Sequence, residues 1–370
     1  MWEGMEIYLK LENVQETGSF KVRGALNFIL SMPNEQALKG VVTASAGNHG
    51  QGVAWASAKK GIHATIFMPS SVSITKLLST KAHGAEVRLE GEGYDDSAEA
   101  ARKWAAQRGA TYIHAFDDEH VIAGQGTVAL EILDQLPEFD SIVVPVGGGG
   151  LIAGVATVIK NLRPQVEIIG VQADAAPSLT VSLQKHEPLT IPSRPTIADG
   201  IAVAHPGTVT FKIIKEMVDS VVAVREDSLE KAVITFLEKG HVVVEGAGAA
   251  PLACLLEGTA MPRGRRVVLL VSGGNLDLPL MDRIIQRGTL TLGRRMRLRV
   301  LLSDRPGSLH RITGVIAKHG ANIVQVYHDR LAPEHPVHLS KVDFDLEIRS
   351  PEDAALIMHE LKGMGIQIIE

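Results

Sequence analysis

Through the first three quarters of the chain, short runs rich in β-branched residues alternate with longer runs of helical periodicity. Strands are predicted at EIYLKLEN (6–13), VVTAS (41–45), HATIFMP (63–69), EVRLEG (86–91), TYIHAF (111–116), SIVVPV (141–146), EIIGVQA (167–173) and in VVLLVSGGN (267–275). Helices are predicted at FKVRGALNFILSM (20–32), NHGQGVAWASAKK (48–60), SITKLLSTKAHG (73–84), DDSAEAARKWAAQRG (95–109), GTVALEILDQL (126–136) and LIAGVATVIKNLR (151–163). This alternation specifies an α/β fold, a parallel sheet with helices on both faces. Ligands of such sheets sit beyond the carboxyl ends of the strands, so the loops just after each strand are the informative positions.

The last part has a different rhythm. RMRLRVLLS (295–303), NIVQVYHDR (322–330), VHLSKVDFDLEIR (337–349) and IQIIE (366–370) read as strands, with helices at SLHRITGVIAKHG (308–320) and EDAALIMHELKGMG (352–365). The order is βαββαβ, the ferredoxin-like arrangement. The basic stretch 283–297 between the two regions reads as a connector.

Composition narrows the function classes. The chain has 370 residues, 45% of them hydrophobic and 21% charged, which suits a globular protein of two or three domains. Net charge is -5, and the few arginines of 283–297 lack interleaved aromatics, so nucleic-acid binding is not expected. Cys254 is the single cysteine, which excludes an internal disulfide and points to the cytoplasm. Residues 141–159 form an uncharged run long enough to span a bilayer. Pro145 and four consecutive glycines break it into strand, turn and helix, and MWEGMEIYLK lacks the basic start of a signal peptide, so no membrane span or export is expected. The 14 histidines include no HExxH pattern, His335 and His338 flank a proline in a loop, and GxSxG is absent. No metal site is expected.

Four strand-end segments carry the candidate chemistry. Gly147, Gly148, Gly149 and Gly150, followed by Leu151, let several backbone N–H groups approach one anion at a helix start, as a phosphate requires. Gly148 to Ala153 also fits G-x-G-x-x-A, with Asp174 ending the next strand, so a dinucleotide site is a competing reading of this segment. Lys21 opens a predicted helix, where a cation is unfavourable; that field and the apolar Phe20 would lower its pKa and leave a nucleophilic amine. An amine facing a phosphate cradle suits a phosphorylated aldehyde such as pyridoxal phosphate. Ser45, Ala46, Gly47, Asn48 and His49 offer free N–H groups to a carboxylate, or else Asn48 simply caps the helix. Ser272, in Ser272-Gly273-Gly274-Asn275, can hydrogen-bond a pyridine nitrogen without forcing it to be protonated.

Together these segments resemble the fold-type II pyridoxal phosphate enzymes of the tryptophan synthase β family, and within it the threonine ammonia-lyases. The resemblance covers most of residues 6–285. It implies two three-layer αβα lobes with mostly parallel sheets: a large lobe of 1–16 and 117–285 and a small lobe of 17–116. It implies that Lys21 carries the cofactor and acts as catalytic base, and that Phe20 packs beside its ring. Gly147 to Gly150 and Leu151 would hold its phosphate, Ser272 its ring nitrogen and Asn48 its ring oxygen. Ser45 to His49 would hold the substrate carboxylate. Ala198-Asp199-Gly200 and the segment of Val244 to Ala249, with Gly200 and Glu245, would line the site. The implied activity is β-elimination from L-threonine, and from L-serine, giving a 2-oxo acid and ammonia.

After a linker at 286–294, residues 295–370 resemble an ACT domain, an amino-acid-sensing module. Asp304, Gly307, Ser308 and Leu309 match its first ligand loop, and Asn322 and Ile323 the next. Isoleucine or valine is the implied effector, and ACT pairing implies a homodimer or homotetramer. Family members usually carry a further segment before the first strand, which is expected here at 6–13. Ala46 stands where serine racemases carry the serine that works on the second substrate face, and Gln172 where they carry a metal-site carboxylate. Elimination without a divalent cation is therefore expected. Serine dehydratase, serine racemase and a non-catalytic amino-acid sensor remain the alternatives.

Overall fold

Strands that read as unbroken apolar runs must be covered on both faces, and those with alternating patterns need only one. In the computed structural model, which describes residues 4–331 and 333–369, the apolar runs lie at sheet centres. The strands of the first region are β1 (Glu6–Leu11), β2 (Val41–Ala44), β3 (Ala64–Met68), β4 (Glu86–Leu89), β5 (Thr111–Tyr112), β6 (Ser141–Pro145), β7 (Glu167–Ala173), β8 (Ser220–Val224) and β9 (Arg266–Val271). They form two parallel sheets, in the spatial orders β1-β9-β6-β7-β8 and β4-β3-β2-β5. β6 is buried throughout, as are β2 and β3, whereas the edge strand β1 is partly open. Ile142, Val144, Ile152 and Ile168 centre one core; Val41, Ile66, Met68 and Val53 centre the other.

The chain divides into two compact units after Leu280, within helix Leu278–Thr291. The second unit holds β10 (Arg295–Ser303), β11 (Asn322–Asp329), β12 (Leu339–Glu347) and β13 (Gln367–Ile369), with helices Ser308–Lys318 and Pro351–Gly363. Its antiparallel sheet runs β11-β12-β10-β13, and Leu298, Val300, Phe344, Ile312 and Ile357 fill the space beneath the helices. This is the ferredoxin-like order that the βαββαβ pattern predicts. The closing strand was expected to reach Glu370, which lies outside the described residues.

No element is predicted between 174 and 266, where the structure adds β8 and the helices Ser178–Lys185, Thr208–Met217, Glu226–Thr235 and Gly246–Glu257. Three further stretches differ from expectation. The strand predicted over 111–116 ends at Tyr112, because the N–H groups of Phe116 and Asp117 turn back onto His114 Nδ1 (3.3 and 2.8 Å). The helix predicted from 126 starts at Glu119, where Asp118 accepts hydrogen bonds from the N–H groups of His120 and Val121 (2.8 and 3.0 Å). The connector 283–297 is helical as far as Thr291. The uncharged run 141–159 is β6, a glycine turn and helix Gly150–Leu162; among the described residues no helix is long and apolar enough to cross a membrane.

Candidate active site

The lysine segment is held against the end of β9. Phe20 N–H donates to the Ser272 carbonyl (3.0 Å), Gly274 N–H donates to the Gly18 carbonyl (2.9 Å), and Ser19 bridges Gly273 in antiparallel fashion. Lys21 then opens helix Lys21–Ser31. Its Nζ donates to the Ala115 carbonyl at 2.9 Å and lies 5.2 Å from the Phe20 ring centre. Burial pulls the amine down to about 8, against an upward pull from Glu245. The free base is therefore far more accessible near neutral pH than for an ordinary lysine. Below Lys21, Arg23 clamps Glu12 (2.7 and 2.8 Å) and Glu131 (2.6 and 2.7 Å), which anchors the first helical turn to β1's end and to helix Glu119–Gln135.

The second segment follows β2 and opens helix Asn48–Lys60. Gly47, not Asn48, occupies the capping position, so the Asn48 side chain is not spent on a cap. It donates through Nδ2 to Glu245 Oε1 (2.8 Å) and accepts from Asn275 Nδ2 (2.7 Å). The first intrahelical bond, from Gln51 to Gly47, leaves the N–H groups of residues 48–50 pointing out of the helix start. Ser45 Oγ accepts from Gly47 N–H (3.2 Å) and tightens the loop. The His49 ring is turned inward, with Nε2 3.2 Å from the Ile113 carbonyl and Nδ1 buried with no partner among the described residues. A carbonyl can only accept, so Nε2 carries the proton. Burial, with Lys21 nearby, drives the ring down to about 3, so it stays neutral. What His49 offers at the loop is its backbone N–H.

Gly147 to Gly150 connect β6 to helix Gly150–Leu162, and Gly149 has φ +98°. A Cβ on Gly147 would sit 3.0 Å from Ile201, and one on Gly150 2.9 Å from Phe116. One on Gly148 would run into the Phe116 ring. No side chain fits along this turn, so the chain approaches its neighbours as bare backbone at the start of the helix, the kind of site that suits an anion. Thr210 Oγ1 and Gly207 N–H hold the turn through the Gly148 carbonyl (2.7 and 3.2 Å).

Glu245 joins these segments. It precedes helix Gly246–Glu257, its N–H donates to the Gly273 carbonyl (3.1 Å), and the residue is 4% exposed. Burial, then Asp199, pushes that carboxyl up to about 8. A Cβ on Gly200 would lie 3.5 Å from Glu245 Oε1, and one on Gly273 would collide with the same oxygen. Ser272 is 3% exposed at the end of β9. Phe20, Lys21, Asn48, Glu245, Gly200 and Ser272 are thus linked through one set of contacts, and Phe116 closes on the glycine turn.

The segment His114–Asp117 is the part that sequence reading missed. Its carbonyl at Ala115 receives Lys21 and its Phe116 ring covers Gly148. The available signal was His-Ala-Phe-Asp-Asp between a strand and a helix, absorbed into an overlong strand. Gln172, by contrast, is structural: its Oε1 accepts from the Thr180 N–H and Oγ1 (2.9 and 3.1 Å). Among the described residues no group of three or more His, Cys, Asp or Glu is placed to hold a metal ion.

These residues fit pyridoxal phosphate. A buried amine near its free-base range suits the aldehyde, and a turn that excludes every side chain suits the phosphate.

In the second unit, Gly307 (φ +85°) precedes helix Ser308–Lys318 and follows β10. The Asp304 carboxylate accepts from Arg330 (2.9 and 2.7 Å). Leu309 and Ile323 pack on the unit's core, while Asn322 is exposed at the start of β11. The loop therefore presents backbone and the Asn322 amide, with the two apolar side chains turned inward.

Comparison with known proteins agrees with this geometry. Residues 3–273 match the family described as "Pyridoxal-phosphate dependent enzyme", and residues 296–361 match the ACT domain. The chain is 44% identical over 365 residues to an L-threonine ammonia-lyase of Thermotoga maritima, covering 99% of this chain and 91% of that one. Among solved structures, the processed form of threonine deaminase isoform 2 from Solanum lycopersicum is 37% identical, with a TM-score of 0.73 over 78% of this chain and 80% of that one. Maize serine racemase is 34% identical, also with a TM-score of 0.73, over 78% of this chain and 89% of that one. With the lysine, the glycine turn and the β9-end serine all present, the chain belongs to the pyridoxal-phosphate dependent enzymes of fold type II, and carries a C-terminal ACT domain.

Proposed function

We propose that the chain is an L-threonine ammonia-lyase, converting L-threonine to 2-oxobutanoate and ammonia by β-elimination, with L-serine as a second substrate. The observation that carries this reading is the buried Lys21 amine, with Nζ 2.9 Å from the Ala115 carbonyl and 5.2 Å from the Phe20 ring centre, in a chain similar to an L-threonine ammonia-lyase over nearly its whole length. When bound, pyridoxal phosphate supplies a conjugated electron sink for negative charge at the substrate α-carbon. Lys21 Nζ is the amine that would hold its aldehyde end and the base that would take the substrate α-proton, a task its lowered pKa suits. The N–H groups at the start of helix Asn48–Lys60 would grip the substrate carboxylate. Gly147 to Gly150 and Leu151 would hold the phosphate, Asn48 the ring oxygen and Ser272 the ring nitrogen. The β-hydroxyl would leave with a proton as water, giving an enamine that takes up one water and yields the 2-oxo acid and ammonia.

The similarity to maize serine racemase keeps a second reading in view. Ala46 argues against it, because a methyl group cannot exchange a proton on the far substrate face. L-Serine dehydration on the same residues is the nearer alternative. One experiment decides between them: an absorbance spectrum of the purified protein, then 2-oxo acid assays with L-threonine and L-serine and a chiral assay for D-serine. A yellow protein that forms no 2-oxo acid from L-threonine sinks the proposal.

The ACT domain is read as a sensor for isoleucine or valine, coupling an effector site at Asp304, Gly307, Ser308, Leu309, Asn322 and Ile323 to catalysis. An Asn322→Ala variant that responds to isoleucine as the parent does would remove this residue from the effector site. The proposed setting is cytoplasmic, consistent with a single buried cysteine, and the proposed assembly is a homodimer or homotetramer.

A further inference from the structure

Asn275 makes contacts that packing alone does not require. Its Nδ2 donates to the Thr17 carbonyl and to Asn48 Oδ1, both at 2.7 Å. Its side chain occupies the space that a Cβ on Gly18 would need, and Gly18 has φ +69°, so the backbone there makes room for the amide. The Asn275 backbone N–H also faces the Glu245 carboxyl.

The Thr17 carbonyl is a pure acceptor, and this fixes the direction of the whole chain of bonds. The Asn275 group facing it must be NH2. The Asn48 atom facing that NH2 must then be oxygen. Asn48 is left presenting its own NH2 to Glu245 Oε1 at 2.8 Å, with one N–H engaged there and a second N–H to offer. An Asn side chain alone has two nearly isosteric orientations, so something must select between them.

We propose that Asn275 is a positioning residue that locks the Asn48 amide with its NH2 toward Glu245 and the cofactor's ring oxygen. The inference rests on the reading of Asn48 as the ring-oxygen partner. Asn275 itself touches no reacting atom in this scheme. Its amide is required because both of its N–H donors are committed to oxygen acceptors, a condition a carboxylate cannot meet.

The test compares N275A and N275D in the full-length protein, titrating the apoprotein with pyridoxal phosphate and following the visible band of the holoenzyme across pH. Simple packing predicts that the isosteric N275D is the milder change. Orientation control predicts the reverse. N275D forces the Asn48 amide to turn over, so cofactor affinity falls below that of N275A by on the order of tenfold, the scale of a lost charge-assisted hydrogen bond. The pH midpoint of the visible band moves as well. In an N48A background the excess loss of cofactor affinity in N275D over N275A shrinks, because the amide being oriented is gone and only the carboxylate's repulsion by the Thr17 carbonyl remains. If N275D does not fold, the cycle of N48A, N275A and N48A/N275A decides instead: matching spectra for N48A and the double variant support the proposal, and additive shifts overturn it. N275D milder than N275A, or a difference undiminished without Asn48, overturns it too. A wild-type protein that takes up no pyridoxal phosphate would bring down the cofactor reading and this inference together, whereas a coloured wild type with the wrong variant order brings down the inference alone.

Discussion

The Phe20 N–H donates to the carbonyl of Ser272 at 3.0 Å, so the residue before the lysine is tied to the residue expected at the ring nitrogen. The bond is main chain to main chain. It fixes the proposed lysine end of the cofactor site relative to the proposed ring-nitrogen end without using either side chain.

Lys21→Ala should abolish turnover and the visible absorbance of bound cofactor. It should also change stability in a defined way. The folded apoprotein holds the amine at about 8, below the usual 10.5, so the unfolded chain binds more protons between those values. Stability of the parent should therefore rise from pH 8 to pH 10.5, as the burial penalty on the charged amine disappears. Denaturant midpoints across that window test this, and an equal rise in Lys21→Ala would show that another group is responsible.

Glu245 has the opposite sign. Its carboxyl is pushed from 4.5 up to about 8, so the folded state keeps a proton that the unfolded chain releases. Stability of the apoprotein should fall from pH 4.5 toward pH 8, and Glu245→Gln should flatten that slope. Parallel urea titrations of the two proteins at pH 5, 6, 7 and 8 would refute the assignment if their slopes agree.

A methyl group on Gly148 has nowhere to go but into the Phe116 ring. Gly148→Ala should destabilise the protein by about 1–3 kcal/mol, as overpacking does, and weaken pyridoxal phosphate binding more than a comparable change outside the turn. Adding Phe116→Ala should recover stability. Thermal melts combined with cofactor titration separate the two effects, and a pair of variants that behave additively would mean that the ring is not the obstacle.

Removing Arg23 leaves Glu12, 1% exposed, without its guanidinium partner. Arg23→Ala should cost about 3–5 kcal/mol in denaturant unfolding, the range for breaking a buried ion pair from one side. The exposed partner behaves differently. Hydrogen bonds from Arg23 hold Glu131 down to about 2, so its contribution is present above pH 4.5 and lost as pH falls toward 2. Glu131→Gln should blunt the acid sensitivity of unfolding in that window.

Much of this was legible along the chain. Helix 48–60 and strands 167–173 and 295–303 stand where their periodicity placed them, since apolar spacing and a glycine or polar stop are local properties. The glycine turn after β6 and the lysine at a helix start were also visible, because each violates a local preference and so signals a ligand. The overlong strand at 111–116 went wrong because a His114 side chain captured two backbone N–H groups, an outcome that β propensity does not register.

By itself, then, the sequence determined the types of most elements outside 174–266, the parallel and antiparallel regions, and the residue chemistry at the strand ends. Only the tertiary structure decided which of those ends meet. Asn48 turned out to be free of its cap and bonded between Glu245 and Asn275, and His49 turned away to Ile113. The Ala115 carbonyl became the acceptor for Lys21. These are contacts between segments far apart in the chain. They depend on which strands pair and how the two sheets are joined, and on the low-dielectric surroundings that result. Those surroundings, which no local pattern encodes, are what bring the Lys21 amine and the Glu245 carboxyl toward neutrality near pH 8.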